Sequence, residues 1–362
     1  MKSIKVNLKS RSYSILIGSG ILKDFAKYAA CSIPYRKAFV VTNACIYKKF
    51  GKTLELSLKR WGFLVKFNLV PDTEKSKSFV TATKLVNGLA LFDKEQRAFV
   101  IALGGGVIGD LSGFIAAIYK RGIPYVQIPT TLLAQVDSAI GGKTAIDLEY
   151  GKNLVGAIYQ PKLVFSDTRA LKSLTPRQLR SGLAEVIKYA IIKDPKLFRY
   201  LENNLEEILK LKNGCLEFIV NRCSRIKARI VSLDEKEEKG IRTILNFGHT
   251  IGHAIEAANK FSGYSHGEAI SLGMLVAADI SSCLKLSENK TTQRMENLIQ
   301  GFGLPVEIKN TSLKEIISCH YLDKKFFANR NRFVLIKDIG KTQIADNIPL
   351  ELIKKSIEKR IR

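Results

Sequence analysis

The feature that most constrains this chain is an alternation in its first half. Five short runs rich in β-branched and aromatic residues occur at 37–42 (KAFVVT), 63–69, 97–103, 125–128 and 163–166. Helically spaced stretches lie between the earlier ones, at 44–61 and 77–92. Parallel strands cannot be joined by a tight hairpin, so strands separated by helices predict a mostly parallel sheet covered on both faces. Sheets of this kind bind ligands where loops leave the carboxyl ends of the strands. From about residue 171 the period becomes helical: 178–192, 195–211, 215–232, 244–259, 268–284 and 291–302 carry apolar residues three and four apart. One β-like run, 332–336, and a basic helix follow. The expected architecture is a Rossmann-like α/β domain over 1–170 and an all-helical domain over 171–362, with the active site in the cleft between them.

Composition narrows the function. With 46% apolar and 25% charged residues the chain is a globular protein. No run approaches the roughly 18 apolar residues of a membrane span, and the first 20 residues alternate like a strand instead of forming a leader's apolar stretch. Six dispersed cysteines without a CxxC pair predict reduced thiols in the cytoplasm. A net charge of +25 fits either a nucleic-acid surface or an anion-binding enzyme with a lysine-biased surface. The lysines are spread over every region, with no basic arm and no aromatic–basic interleaving, which favours the enzyme and excludes nucleic acid as the partner.

Three of the four histidines fall within eighteen residues. NFGHTIGHAIE puts His249 and His253 on one helix face, and His266 opens the next helix in SHGEAISLGM. The string lacks the glutamate of HExxH, so a zincin peptidase is disfavoured. Two histidines and a carboxylate would leave a metal position open for substrate. Glu185, an acid on the apolar background of SGLAEVIKYAII, is the candidate carboxylate, and a salt bridge to Lys188 is the alternative reading. FVIALGGGVIGD follows a strand with Gly104, Gly105 and Gly106, then Asp110, a turn whose backbone could approach a pyrophosphate closely. Asp137, Lys143, Lys152 and Asn153 sit among small and apolar residues, and Lys188, Lys227, Arg242 and Asn246 add donors expected near the histidines. Several cations beside a metal suit a substrate with more than one anionic group.

Taken together, LGGGVIGDLSGF, RGIPYVQIPTTLLAQVDSAIGGKTAID, GKNLVGAIYQP, SGLAEVIKY, LNFGHTIGHAIE and HGEA closely resemble the 3-dehydroquinate synthase family, over about residues 10 to 335. The resemblance implies a phosphate lyase of the shikimate pathway that uses NAD and one divalent ion, Zn2+ or Co2+. Its substrate would be the anionic sugar phosphate 3-deoxy-D-arabino-heptulosonate 7-phosphate, converted to 3-dehydroquinate and phosphate. The implied chemistry is oxidation, β-elimination of phosphate, re-reduction and an intramolecular aldol closure, with NAD regenerated. Matching motifs place the metal on Glu185, His249 and His266, leaving His253 as a non-ligand. Cofactor contacts would be Glu74, Lys77, Gly105, Gly106, Asp110, Thr130, Thr131, Lys143, Lys152 and Ser173. Catalytic groups would be Lys143, Lys188, Lys227, Arg242, Asn246 and His253; Asp137, Lys152, Asn153 and Glu238 would touch substrate. Arg121 would reach the neighbouring site of a homodimer, and Lys324 or Lys325 would complete the phosphate pocket.

The chain departs from the family pattern at Asn43, where an aspartate is common, at Thr73 for glycine, Ser173 for threonine and Gln178 for glutamate. Other sugar phosphate cyclases, of the 2-deoxy-scyllo-inosose synthase or aminodehydroquinate synthase type, are the alternative activity. Retention of Lys227, Arg242 and Asn246 favours the carboxylate-bearing substrate.

Overall fold

The computed structural model describes residues 1–94, 97–260, 263–321 and 331–362. Packing divides the chain into two compact units, Met1–Leu174 with Leu216–Lys236, and Thr175–Cys215 with Glu237–Arg362. A single boundary near residue 170 is therefore too simple, because the segment Leu216–Lys236 groups with the first unit.

The first unit is built on a seven-stranded sheet of β1 (Lys2–Val6), β2 (Tyr13–Gly18), β3 (Lys37–Thr42), β4 (Leu64–Leu69), β5 (Ala98–Gly104), β6 (Tyr125–Pro129) and β9 (Leu163–Asp167). Their spatial order is β1-β2-β9-β6-β5-β3-β4. Only β1 runs antiparallel to its neighbour; the remaining pairs are parallel, as the strand–helix alternation requires. All seven residues of β5 are buried, as a strand covered on both faces must be. One face packs Phe99, Ile101, Phe165 and Phe25 into a core; the other packs Val100, Ala102, Leu111 and Ile115. Each such large side chain contributes roughly 1.5–3 kcal/mol by leaving water.

Two details differ from the sequence expectation. The helix expected over 44–61 is helical from Ala44 to Arg60 but contains a π turn at Tyr47–Gly51, where the Tyr47 ring covers the space a Gly51 side chain would need. A hairpin of β7 (Lys143–Leu148) and β8 (Gly151–Ile158) forms where the small residues of SAIGGKTAID gave no strand period.

In the second unit the helix His266–Cys283 packs against both Pro176–Lys193 and His249–Ala258, with β10 (Arg332–Asp338) and β11 (Lys341–Asp346) as an antiparallel pair. The helix expected over 244–259 is two pieces. A 3-10 turn, Ile241–Asn246, is separated from His249–Ala258 by Gly248, whose φ of +78° a side chain would oppose. Helix contacts are close because glycines meet backbone: a Cβ on Gly273 would lie 2.0 Å from the carbonyl oxygen of Gly248, and one on Gly267 2.4 Å from Cα of Ser181. No described helix is long and apolar enough to cross a membrane. All six cysteines are free thiols.

Gly273→Ala must push two helices apart, and overpacking of this kind costs about 1–3 kcal/mol. The expected result is a lower urea midpoint by circular dichroism; an unchanged midpoint would show that this contact has slack.

Candidate functional site

Two capped helix starts help set the geometry of the second unit. Thr175 and Gln178 form a reciprocal capping box: Gln178 N–H donates to Thr175 Oγ1 (3.3 Å) and Thr175 N–H to Gln178 Oε1 (3.0 Å). The departure at Gln178 thus keeps the cap, since an amide oxygen accepts there as a carboxylate would. Ser265 and Glu268 form a second box at the helix of His266. Arg177 joins the two starts by donating to both Glu268 oxygens, at 3.3 and 2.8 Å.

From these starts Glu185, His249 and His266 converge. One ligand atom from each lies within 4.8 Å of the other two. Glu185 Oε1 is 3.6 Å from His249 Nε2 and 3.5 Å from His266 Nε2. The Glu185 side chain is wholly buried, and Lys188, one turn on and also buried, pairs with its Oε2. The salt bridge to Lys188 is thus present on one oxygen, while the other faces both histidines. The far nitrogen of each ring has its own acceptor: His249 Nδ1 lies 3.1 Å from the Phe247 carbonyl oxygen, and His266 Nδ1 3.4 Å from Glu256 Oε2. Burial opposes charge on His266, but Glu185 and Glu256 outweigh it and push its pKa up to about 10. His253 is exposed, its ring 5.3 Å from that of His249. Arg242 is buried with Nε 3.1 Å from Glu237 Oε1, Asn246 ends the 3-10 turn before the histidines, and Glu238 is exposed.

The first unit gathers a second set at the carboxyl ends of its strands. Gly105 caps the helix Gly106–Ile118, and a Cβ there would come within 3.1 Å of Thr131, so the loop presents backbone. Lys77, almost wholly buried, donates to Asp110 Oδ2 (3.0 Å) and to Asn153 Oδ1, with Glu74 at 3.4 Å and Asp147 at 3.7 Å. Burial works against its charge, but the surrounding carboxylates hold its pKa above the usual lysine value. Burial pushes Asp110 up to about 6, partly offset by Lys77. Asn153 adopts a φ of +54° and donates its N–H to Asp147 Oδ1 (2.7 Å). Lys143 and Lys152 stand on the same hairpin, β7–β8.

Asp137 lies on a π-helical turn, Ala134–Ser138, and Lys227 of the helix Asn213–Leu233 donates to its Oδ1 (2.6 Å) and its carbonyl oxygen (2.9 Å). A cavity of about 660 Å3 opens at the ends of β5, β6 and β9, lined among others by Leu103, Thr130, Lys49, Lys172 and Ser173. Thr130 Oγ1 is buried there with no hydrogen-bond partner among the described residues. Arg121, at φ +63°, is exposed on the turn after the glycine-loop helix. Lys324 and Lys325 lie outside the described residues. Sequence reasoning missed Glu256 and Asp147, acids that no motif spacing marks out.

Residues 67–181 match the family described as 3-dehydroquinate synthase N-terminal, and residues 182–326 the one described as 3-dehydroquinate synthase C-terminal. The chain is 42% identical over 354 residues to a 3-dehydroquinate synthase of Thermoanaerobacter pseudethanolicus, covering 98% of this chain and 99% of the relative. Among solved structures, a 2-deoxy-scyllo-inosose synthase complexed with carbaglucose-6-phosphate, NAD+ and Co2+ matches with a TM-score of 0.91 at 27% identity, over 99% of this chain and 100% of that one. A 2-epi-5-epi-valiolone synthase from Streptomyces hygroscopicus with NAD+ and Zn2+ bound matches with a TM-score of 0.89 at 25% identity, over 98% of each chain. With adjoining family matches across its middle and a curated relative aligned over nearly all its length, the chain belongs to the 3-dehydroquinate synthase family.

Proposed function

We propose that this chain converts 3-deoxy-D-arabino-heptulosonate 7-phosphate to 3-dehydroquinate and phosphate, using NAD+ and one divalent ion. The observation that carries the reading is the buried triangle of Glu185, His249 and His266. One carboxylate and two imidazoles form a donor set that Zn2+ and Co2+ both accept, and three protein ligands leave a position for substrate. The partnerless Thr130 hydroxyl and the glycine-loop backbone suit a dinucleotide in the first unit. The chemistry these groups supply when bound is Lewis-acid polarisation of a substrate hydroxyl and reversible acceptance of hydride.

The chain's own residues bind and orient. Glu74, Lys77, Gly105, Gly106, Asp110, Thr130, Thr131 and Ser173 hold the dinucleotide, with Lys143 and Lys152 contributing from the hairpin. Lys188, Lys227, Arg242, Asn246 and His253, with Asp137, Asn153 and Glu238, hold the anionic substrate. Arginine's fork suits the carboxylate, while the lysines act as point charges toward phosphate. Arg121, exposed on its turn, serves the neighbouring site of a homodimer, and the chain works in the cytoplasm. A second reading, cyclisation of a hexose 6-phosphate, is favoured by the TM-score of 0.91 to the 2-deoxy-scyllo-inosose synthase. The 42% identity to a 3-dehydroquinate synthase, against 27% there, weighs for the first.

Purified chain with Co2+ and NAD+ is expected to release phosphate and carbocycle in equal amounts with no lasting NADH. Glu185→Gln, which removes a ligand, should lower turnover by at least about 100-fold, the upper range for losing a mere supporting group. Turnover of a hexose 6-phosphate in place of the heptulosonate would replace this reading with the second one.

Metal binding should also displace a proton. His266 is protonated below its pKa of about 10, and a metal needs the neutral ring, so Zn2+ affinity should rise with pH, about tenfold per unit, up to that value. Titration calorimetry near neutral pH in two buffers of different ionisation enthalpy should read about one proton released. Equal heats in both would show that His266 is already neutral before the ion binds and would overturn this pH dependence.

A further inference from the structure

Glu256 has no role in the reading above, yet it is an acid buried in the second unit. It lies on the helix His249–Ala258, on the side chain face that meets His266, with its side chain 9% exposed. Its Oε2 stands 3.4 Å from His266 Nδ1, while the other ring nitrogen, Nε2, faces Glu185 Oε1 at 3.5 Å. An imidazole held at both nitrogens has one useful arrangement for metal binding: proton on the nitrogen facing the acceptor, lone pair on the other. A carboxylate behind a ligating histidine fixes that tautomer and makes the ring more basic. His249 is treated differently, since the acceptor at its Nδ1 is the neutral carbonyl of Phe247.

We infer that Glu256 is a positioning residue for the metal site: it accepts the Nδ1 proton of His266 and so presents Nε2 to the ion shared with Glu185 and His249. The inference rests on the metal reading given under the proposed function. It predicts an asymmetric site, with one histidine backed by a full negative charge and the other by a carbonyl dipole. The competing use of the same atoms is a second ion on the outer side of His266, because His253, Glu256 and His266 also offer ligand atoms within 4.8 Å of one another. The geometry favours the supporting role, since His253 is exposed whereas Glu256 is buried against the ring.

The test is a Co2+ titration of the purified full chain, following the visible absorption of the bound ion and its stoichiometry. Wild type is expected to bind one equivalent. Glu256→Gln keeps the shape and an acceptor oxygen but loses the charge; Glu256→Ala loses both. Affinity should fall about tenfold in the first and up to about 100-fold in the second, the range for losing a carboxylate behind a ligand. The Co2+ spectrum should shift in both, and Glu256→Asp should recover part of the affinity. Circular dichroism of the metal-free variants separates these losses from misfolding, and the near-isosteric Gln variant is the one that decides if the Ala variant fails to fold. Wild-type affinity and spectrum in Glu256→Gln and Glu256→Ala would overturn the inference while leaving the metal reading intact. Two equivalents in wild type, one of them lost in Glu256→Ala, would overturn it in favour of a ligand role. No Co2+ binding by wild type would overturn both this inference and the metal reading beneath it.

Discussion

The second unit is arranged around a carboxylate buried where an uncompensated charge is costly. Glu185 is fully buried in the middle of the helix Pro176–Lys193, among Leu183, Ala184, Val186 and Ile187. An isolated charge there would cost several kcal/mol. Lys188 on one oxygen and two histidines on the other offset that cost, and each must be delivered by a different turn or helix. The joined helix starts, the glycine contacts at Gly267 and Gly273, and the break at Gly248 are all means of bringing those groups within reach. A fold that missed any of them would leave the acid uncompensated.

The first unit solves an analogous problem with the sign reversed. Lys77 is a buried cation, and it is surrounded by Asp110, Asn153, Glu74 and Asp147, drawn from a loop, a helix and a hairpin. The same contacts that compensate the lysine also tie the glycine-loop helix to the β7–β8 hairpin. Asn153 sits in left-handed backbone because its N–H is taken by Asp147, so the hairpin's shape and the lysine's charge are mutually dependent.

Much of this was legible in the residues, and what was not has physical causes. The parallel strands showed because β5 and its neighbours are buried on both faces and read as continuous apolar runs. The hairpin β7–β8 did not, because its small and glycine residues serve close contact: a Cβ on Gly156 would lie 2.1 Å from the Thr144 carbonyl oxygen. The break within 244–259 does not show in the apolar period, because periodicity ignores backbone sign, and Phe247 and Gly248 carry it. Glu185, His249 and His266 stood out as polar residues of the right type on apolar ground. Glu256 did not, because an acid near a helix's end looks like any solvated charge until the ring beside it is placed.

The pairing of Glu185 with Lys188, with two imidazoles facing its other oxygen, bears on the order of assembly. In many small metalloproteins the ion is the last piece of the core, and the chain stays unfolded without it. Here Lys188 pairs with one oxygen of the acid and both imidazoles face the other, so the acid has partners within the fold itself. On the proposed metal reading, such a chain would fold first and be loaded afterwards. Scarcity of metal would then leave an idle but intact protein.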